Sequence, residues 1–177
     1  MSYNPKDFCS NGREVDKCRK RLQKYCVGIG LDIGCGSIIE EKGYPLENKI
    51  VPHAIGFDKA YTNIRGMADD LHWFKNNTMD FIFSSHLLEH IKDYKKCLKE
   101  WWRILAPNGY LILYLPHGDY YPSVNSGIGN PDHKHDFYPL TLMKDFLKMP
   151  FTFELIHVQE HNEENEYSFD FVVRKIS

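Results

Sequence analysis

Short apolar runs alternate with stretches of helical period along this chain, and that alternation leaves few architectures open. Buried parallel strands read as near-continuous apolar runs, and the segments between them must cross over the sheet. The pattern therefore predicts an α/β sheet covered on both faces. Residues 27–33, 53–57, 64–68, 81–84 and 110–115 read as strands. Over residues 93–105, Tyr94, Cys97, Leu98, Trp101 and Leu105 recur at helical spacing, and Pro107-Asn108-Gly109 should stop that helix. A shorter helix over 140–149 has Pro139 near its start and Pro150 after it. Residues 151–158 and 167–176, joined by the polar stretch HNEENE, read as an antiparallel hairpin.

With 177 residues and 42% hydrophobic content, the chain can bury one substantial core, so residues 1–177 read as one domain. A net charge of −2 gives no global basic field, which makes nucleic acid a weak candidate partner. The one basic run, Lys17-Cys18-Arg19-Lys20-Arg21 with Lys24, lies on a helical segment within residues 1–26 and reads most simply as a solvated face. Cys9, Cys18, Cys26, Cys35 and Cys97 are scattered, with no paired metal or redox spacing, as in reduced cytosolic proteins. The first residues lack a signal-peptide stretch and no run of about 18 apolar residues could span a bilayer, so a soluble cytoplasmic protein is expected.

In open α/β sheets, ligands sit beyond the carboxyl ends of the strands, which selects LDIGCGS, GFD, MADD, SSHLLEH and LPHGD. Gly34 and Gly36 permit a tight turn and a close backbone approach to a ligand, although alone they could be a plain glycine turn. Asp58 ends the next strand about twenty residues on, where a carboxylate can accept the hydroxyls of an adenosine ribose. The dinucleotide fingerprint would need a third glycine where Ile39 stands. Adenosine without pyrophosphate remains.

In this order, LDIGCGS, IGFD, ADDL, MDFIFSSHLLEHI and LKEWWRILAPNGYLILYLP resemble the class I S-adenosylmethionine-dependent methyltransferases, in their small methyltransferase-11-like form. The resemblance implies a Rossmann-like, doubly wound, three-layer sandwich whose seven-stranded sheet is mostly parallel and ends in an antiparallel hairpin. It divides the domain into an N-terminal helical segment (1–26), a cofactor-binding half (27–117) and an acceptor-side loop, helix and hairpin (118–177). By that resemblance Asp32, Gly34, Cys35 and Gly36 would cradle the methionine part of S-adenosylmethionine. Asp58, with Lys59 beside it, would serve the ribose, the segment Asp69, Asp70 and Leu71 the adenine, and Ser84, Ser85 and His86 the floor near the sulfonium. Ile38 stands where the family often has a glycine and Met67 where it often has an acid. Residues 37–52 contain Gly43 and Pro45 and little helical periodicity, so the helix expected after the first strand is truncated.

Two further segments carry chemistry. His86-Leu87-Leu88-Glu89-His90 has the form of a zinc-binding helix with Glu89 as base. It follows a buried strand at a cofactor edge, so no metal site is expected and a zinc hydrolase is the third choice. The long loop after residue 115 supplies His117, Asp132, His133, His135 and Asp136. A methyl acceptor with a hydroxyl benefits from a base near neutral pH, which nominates His133 and then His117. The expected reaction is in-line methyl transfer, to oxygen, on a small-molecule or glycan acceptor. A non-catalytic, methyltransferase-like binding module is the alternative.

Overall fold

The computed structural model describes residues 13–124 and 126–176. Cys9 and the residues read for a signal sequence lie outside the described part. Seven strands form one sheet: β1 (Gly30–Ile33), β2 (Ile55–Asp58), β3 (Ile64–Arg65), β4 (Met79–Ser85), β5 (Leu105–Pro116), β6 (Phe153–Glu163) and β7 (Glu166–Lys175). Their order is β3-β2-β1-β4-β5-β7-β6, with β7 antiparallel to both of its neighbours and every other pairing parallel. The carboxyl ends of β1, β2, β4 and β5 thus share one edge. Strand order reverses between β1 and β4, which is where such sheets open a crevice.

Among the described residues, the α-helices α1 (Glu14–Leu22), α2 (Tyr94–Ile104) and α3 (Pro139–Lys148) make the outer layers. The Asp93 side chain caps α2 by accepting from the Lys96 N–H at 3.0 Å. One face of α2 buries Cys97, Leu98, Trp101 and Ile104 with Leu142 and Phe146 of α3 against Leu31, Ile82 and Phe171 of the sheet. On the other side Val15, Cys18 and Leu22 of α1 pack with Ile50 and Val51 on Phe81, Phe83 and Ile112. At about 25 cal/mol per Å² of apolar surface, these two faces supply most of the folding drive.

The truncated helix after β1 is absent altogether: residues 34–54 cross as bends and turns. Arg19 holds this crossing, donating to the carbonyls of Lys49 and Ile50 and to Asn48 Oδ1. Arg21 makes two bonds to the fully buried Asp170, at 2.8 and 3.2 Å. These contacts correct the reading of the basic run as a solvated face: Lys20 and Lys24 are exposed, but Arg19 and Arg21 are structural.

Several boundaries also move. β1 starts at Gly30, leaving Val27 and Ile29 exposed. Helix α2 ends at Ile104 and Leu105 already belongs to β5, so Pro107-Asn108-Gly109 lies within that strand, where its register with β4 shifts. Asn108 adopts φ 65° there. The expected linker of the terminal hairpin is mostly strand, and Asn165, at φ 66°, marks its tight turn. In β7, Asp170 and Val172 are as buried as Phe169 and Phe171. β7 is an inner strand, and both of its faces are covered.

Candidate active site

The loop after β1 is built around two glycines in the left-handed region and one carboxylate. Gly34 has φ 87° and Gly36 φ 90°, a region that side chains disfavour. A Cβ on Gly36 would meet the Pro45 carbonyl at 2.7 Å, and one on Gly34 would touch Leu87 at 3.0 Å. Asp58, at the end of β2, locks the loop: Oδ2 accepts from the Gly36 N–H and Oδ1 from the Ala60 N–H, each at 2.9 Å. Each oxygen keeps a lone pair for a further donor.

Over this loop lies a largely apolar cavity of about 680 Å³, bounded by Gly34, Phe57, Asp58, Lys59, Met67, Asp69 and Leu87. Trp101 fixes its far wall by donating to the Ala68 carbonyl at 2.8 Å. Asp69 reaches the cavity, with Lys96 Nζ 3.4 Å away. A smaller cavity of about 110 Å³ lies beneath the loop, lined by Asp32, Cys35, Ser85 and His86. Asp32 is buried and accepts from the Ile50 N–H at 2.6 Å; burial, with Glu47 adding to it, raises its pKa to about 7.

A third cavity, of about 790 Å³, shares Gly34, Asp58, Lys59, Leu87 and His90 with the first and extends under the long loop to Tyr121, Asp132 and His133. At its base, Glu89 is fully buried and neither carboxyl oxygen has a hydrogen-bond partner. Three imidazoles surround it: Oε1 lies 3.8 Å from His86 Nδ1, 3.8 Å from His90 Nε2 and 3.7 Å from His133 Nε2. Burial raises the Glu89 carboxyl to about 8 and lowers His133 to about 3 and His86 to about 4. Tyr121 stacks on His133, and Lys134 donates its N–H to the Glu89 carbonyl at 2.7 Å, fastening the loop to the turn after β4.

The family model described as a methyltransferase domain matches residues 9–113. The chain belongs to this family. S-adenosylmethionine is the cofactor that family and fold imply. Solved structures agree in fold. A chain from the complex of the Haloferax volcanii Trm112 methyltransferase activator with a methyltransferase superposes with TM-score 0.67 at 14% identity, over 98% of this chain and 93% of that one. An S-adenosylmethionine-dependent methyltransferase from Archaeoglobus fulgidus gives 0.62 at 17%, over 95% and 98%. One from Mesorhizobium loti gives 0.63 at 15%, over 90% and 96%. A search of curated proteins gives no match.

In this methyltransferase domain the fold gathers Asp32, Gly34, Cys35, Asp58, Lys59, Asp69, Ser85, His86 and His133 around the three cavities. The other nominated residues stand apart. Ser84 is fully buried and its hydroxyl donates to the Ile33 carbonyl at 2.9 Å. Leu71 is a core residue. Asp70 points outward to His72 Nδ1 at 2.6 Å. Gly36 carries the turn rather than a wall. His117 is buried, stacked on Tyr120, and its Nδ1 accepts from the Asp119 N–H at 3.2 Å; it lines none of the three cavities.

The zinc-helix reading of HLLEH also fails on geometry. His86 has φ 46° and only Leu88–His90 form a single 3-10 turn, so no helix face carries both histidines. Among the described residues no helix is long and apolar enough to cross a membrane. The sequence reading gave no role to Glu14, which lines the two cavities at His86. It met His90 and Glu89 only through the zinc-helix form of HLLEH.

Proposed function

We propose that this domain transfers a methyl group from S-adenosylmethionine to an oxygen of a small-molecule or glycan acceptor. One observation carries the reading: a glycine-hinged apolar cavity and a histidine-lined cavity meet at Gly34, Asp58 and Leu87, leaving room for two molecules side by side. The residues fit the cofactor. Leu87 and the Pro45 carbonyl pack so closely on Gly34 and Gly36 that only glycine keeps this turn, Gly34 lines the cavity, and Asp58 and Asp69 offer carboxylates to hydroxyl and amine donors. In this reading Gly34, Cys35, Asp32, Ser85 and His86 surround the methionine part. Asp58 and Lys59 serve the ribose, and Asp69 the adenine.

S-adenosylmethionine supplies a methyl group activated on sulfonium. The protein's part is to hold acceptor and donor in line. His133 is the acceptor-side residue that takes the hydroxyl proton. It is unprotonated at neutral pH, and a hydroxyl gaining a methyl becomes strongly acidic as the bond forms, so a weak base suffices. Titration calorimetry with S-adenosylmethionine and S-adenosylhomocysteine tests the cofactor half. Micromolar binding is expected, and no heat from either at high micromolar concentration would leave a non-catalytic module as the better reading.

A further inference from the structure

We propose that Glu89, His90 and His133 bind a divalent transition-metal ion at the base of the histidine-lined cavity, where its open positions take a hydroxyl oxygen of the acceptor. The three side chains can each direct one ligand atom to a common point, with all three atoms within 4.8 Å of one another. The decisive feature is Glu89. A fully buried carboxyl with two unpartnered oxygens is costly to leave unsatisfied, by about 1–3 kcal/mol even when neutral. The nearest donors, at 3.7 and 3.8 Å, are too far for hydrogen bonds.

An ion suits that spacing. With metal–ligand bonds of about 2.1 Å, tetrahedral ligand atoms lie about 3.4 Å apart, so Glu89 Oε1 needs to close by only a few tenths of an ångström on His90 and His133, from 3.8 and 3.7 Å, while the two imidazole nitrogens start within 4.8 Å of each other. Two imidazoles and one carboxylate make the donor set of open, catalytic zinc and iron(II) sites, and nitrogen donors disfavour magnesium and calcium. The surroundings hold the ligands as such sites require. Asp132 lies beside His90, and Tyr121 stacks on His133.

The acceptor role rests on the methyl-transfer reading; the ion does not. With the ion bound, His133 acts as a ligand rather than as the base: the metal lowers the pKa of the acceptor hydroxyl, whose proton passes to solvent water as the oxygen takes the methyl group. An ordered water bridging the same atoms is the competing occupant.

The test uses the full chain, stripped with chelator, dialysed and titrated with Zn²⁺, Mn²⁺ and Co²⁺. Bound metal is measured by plasma mass spectrometry, and Co²⁺ also by its visible spectrum. About one tightly held ion per chain is expected. His133→Ala and His90→Ala should each weaken it by more than about 100-fold, since even outer partners cost 10–100-fold. His135→Ala, a change to a neighbouring histidine that bonds the Ile91 and Lys92 carbonyls, should leave it intact. Thermal melting of each variant shows whether the fold survives. No uptake at millimolar metal overturns the proposal, as does uptake unchanged in a folded His90→Ala/His133→Ala double variant. S-adenosylmethionine binding is titrated separately on the stripped protein. Cofactor binding without metal uptake removes the metal site alone, whereas metal uptake without cofactor binding removes the methyl-transfer reading alone.

Discussion

The two cavities that meet at Gly34 are built on opposite principles. On the glycine side, the carboxylates and the indole are paired with the main chain: Asp58 bonds Gly36 and Ala60, Asp32 bonds Ile50, and Trp101 bonds Ala68. On the histidine side, Glu89 is packed close to a ring of imidazoles and neither of its carboxyl oxygens is bonded. The first arrangement is rigid before any ligand arrives, which lowers the ordering cost of binding. The second stores an unfavourable term that a ligand can relieve, as functional sites often do at the expense of stability. Substitutions should therefore have opposite signs on the two sides.

The largest loss is expected from Trp101→Ala. It empties a fully buried site and frees the Ala68 carbonyl, so stability should fall by about 3–5 kcal/mol in urea titrations; a loss below 1 kcal/mol would mean the glycine side is less rigid than described. Asp58→Ala should follow with about 2 kcal/mol, because two backbone N–H groups lose their acceptor, and with a clear drop in S-adenosylmethionine affinity by calorimetry. Unchanged affinity would remove Asp58 from the ribose site.

Glu89→Met should do the reverse, raising the stability of the metal-free protein by about 1 kcal/mol or more while abolishing turnover. A destabilised variant would show that the carboxyl already has a stabilising partner, and the contrast would collapse. Asp32 sharpens it through pH. Its folded pKa is raised from 3.8 to about 7, so between those values the folded chain keeps a proton that the unfolded chain has released. That contribution is present below the unfolded value and is lost as pH rises through about 7, at no more than about 1.4 kcal/mol per pH unit. Asp32→Asn should flatten this slope in denaturant midpoints measured from pH 4 to 8. The smallest effect belongs to Asp70→Ala, whose exposed carboxylate faces His72 and lines no cavity. Cofactor affinity should change less than about twofold, and a tenfold loss would return Asp70 to the adenine site.

Much of this was legible in the chain alone. The buried runs of β1, β2, β4 and β5 announce themselves because apolar periodicity is a local property, and the glycines and acids at their ends follow from where such strands must stop. Boundaries were less legible. The Pro107-Asn108-Gly109 stretch looks like a helix stop, yet pairing with β4 recruits it into a strand. The basic run looks solvated because nothing local announces the buried Asp170 that Arg21 meets, far along the chain.

By itself the sequence determined the order of strands and helices, the glycine turn after β1 and the family to which they belong, since each depends on neighbours in the chain. Only the tertiary structure decided that Glu89 is sealed from solvent, that His133 rather than His117 reaches it, and that Ser84 and Leu71 turn into the core. Burial and convergence arise when the loop carrying Lys134 folds back onto the turn after β4, and no local pattern encodes how two distant segments meet.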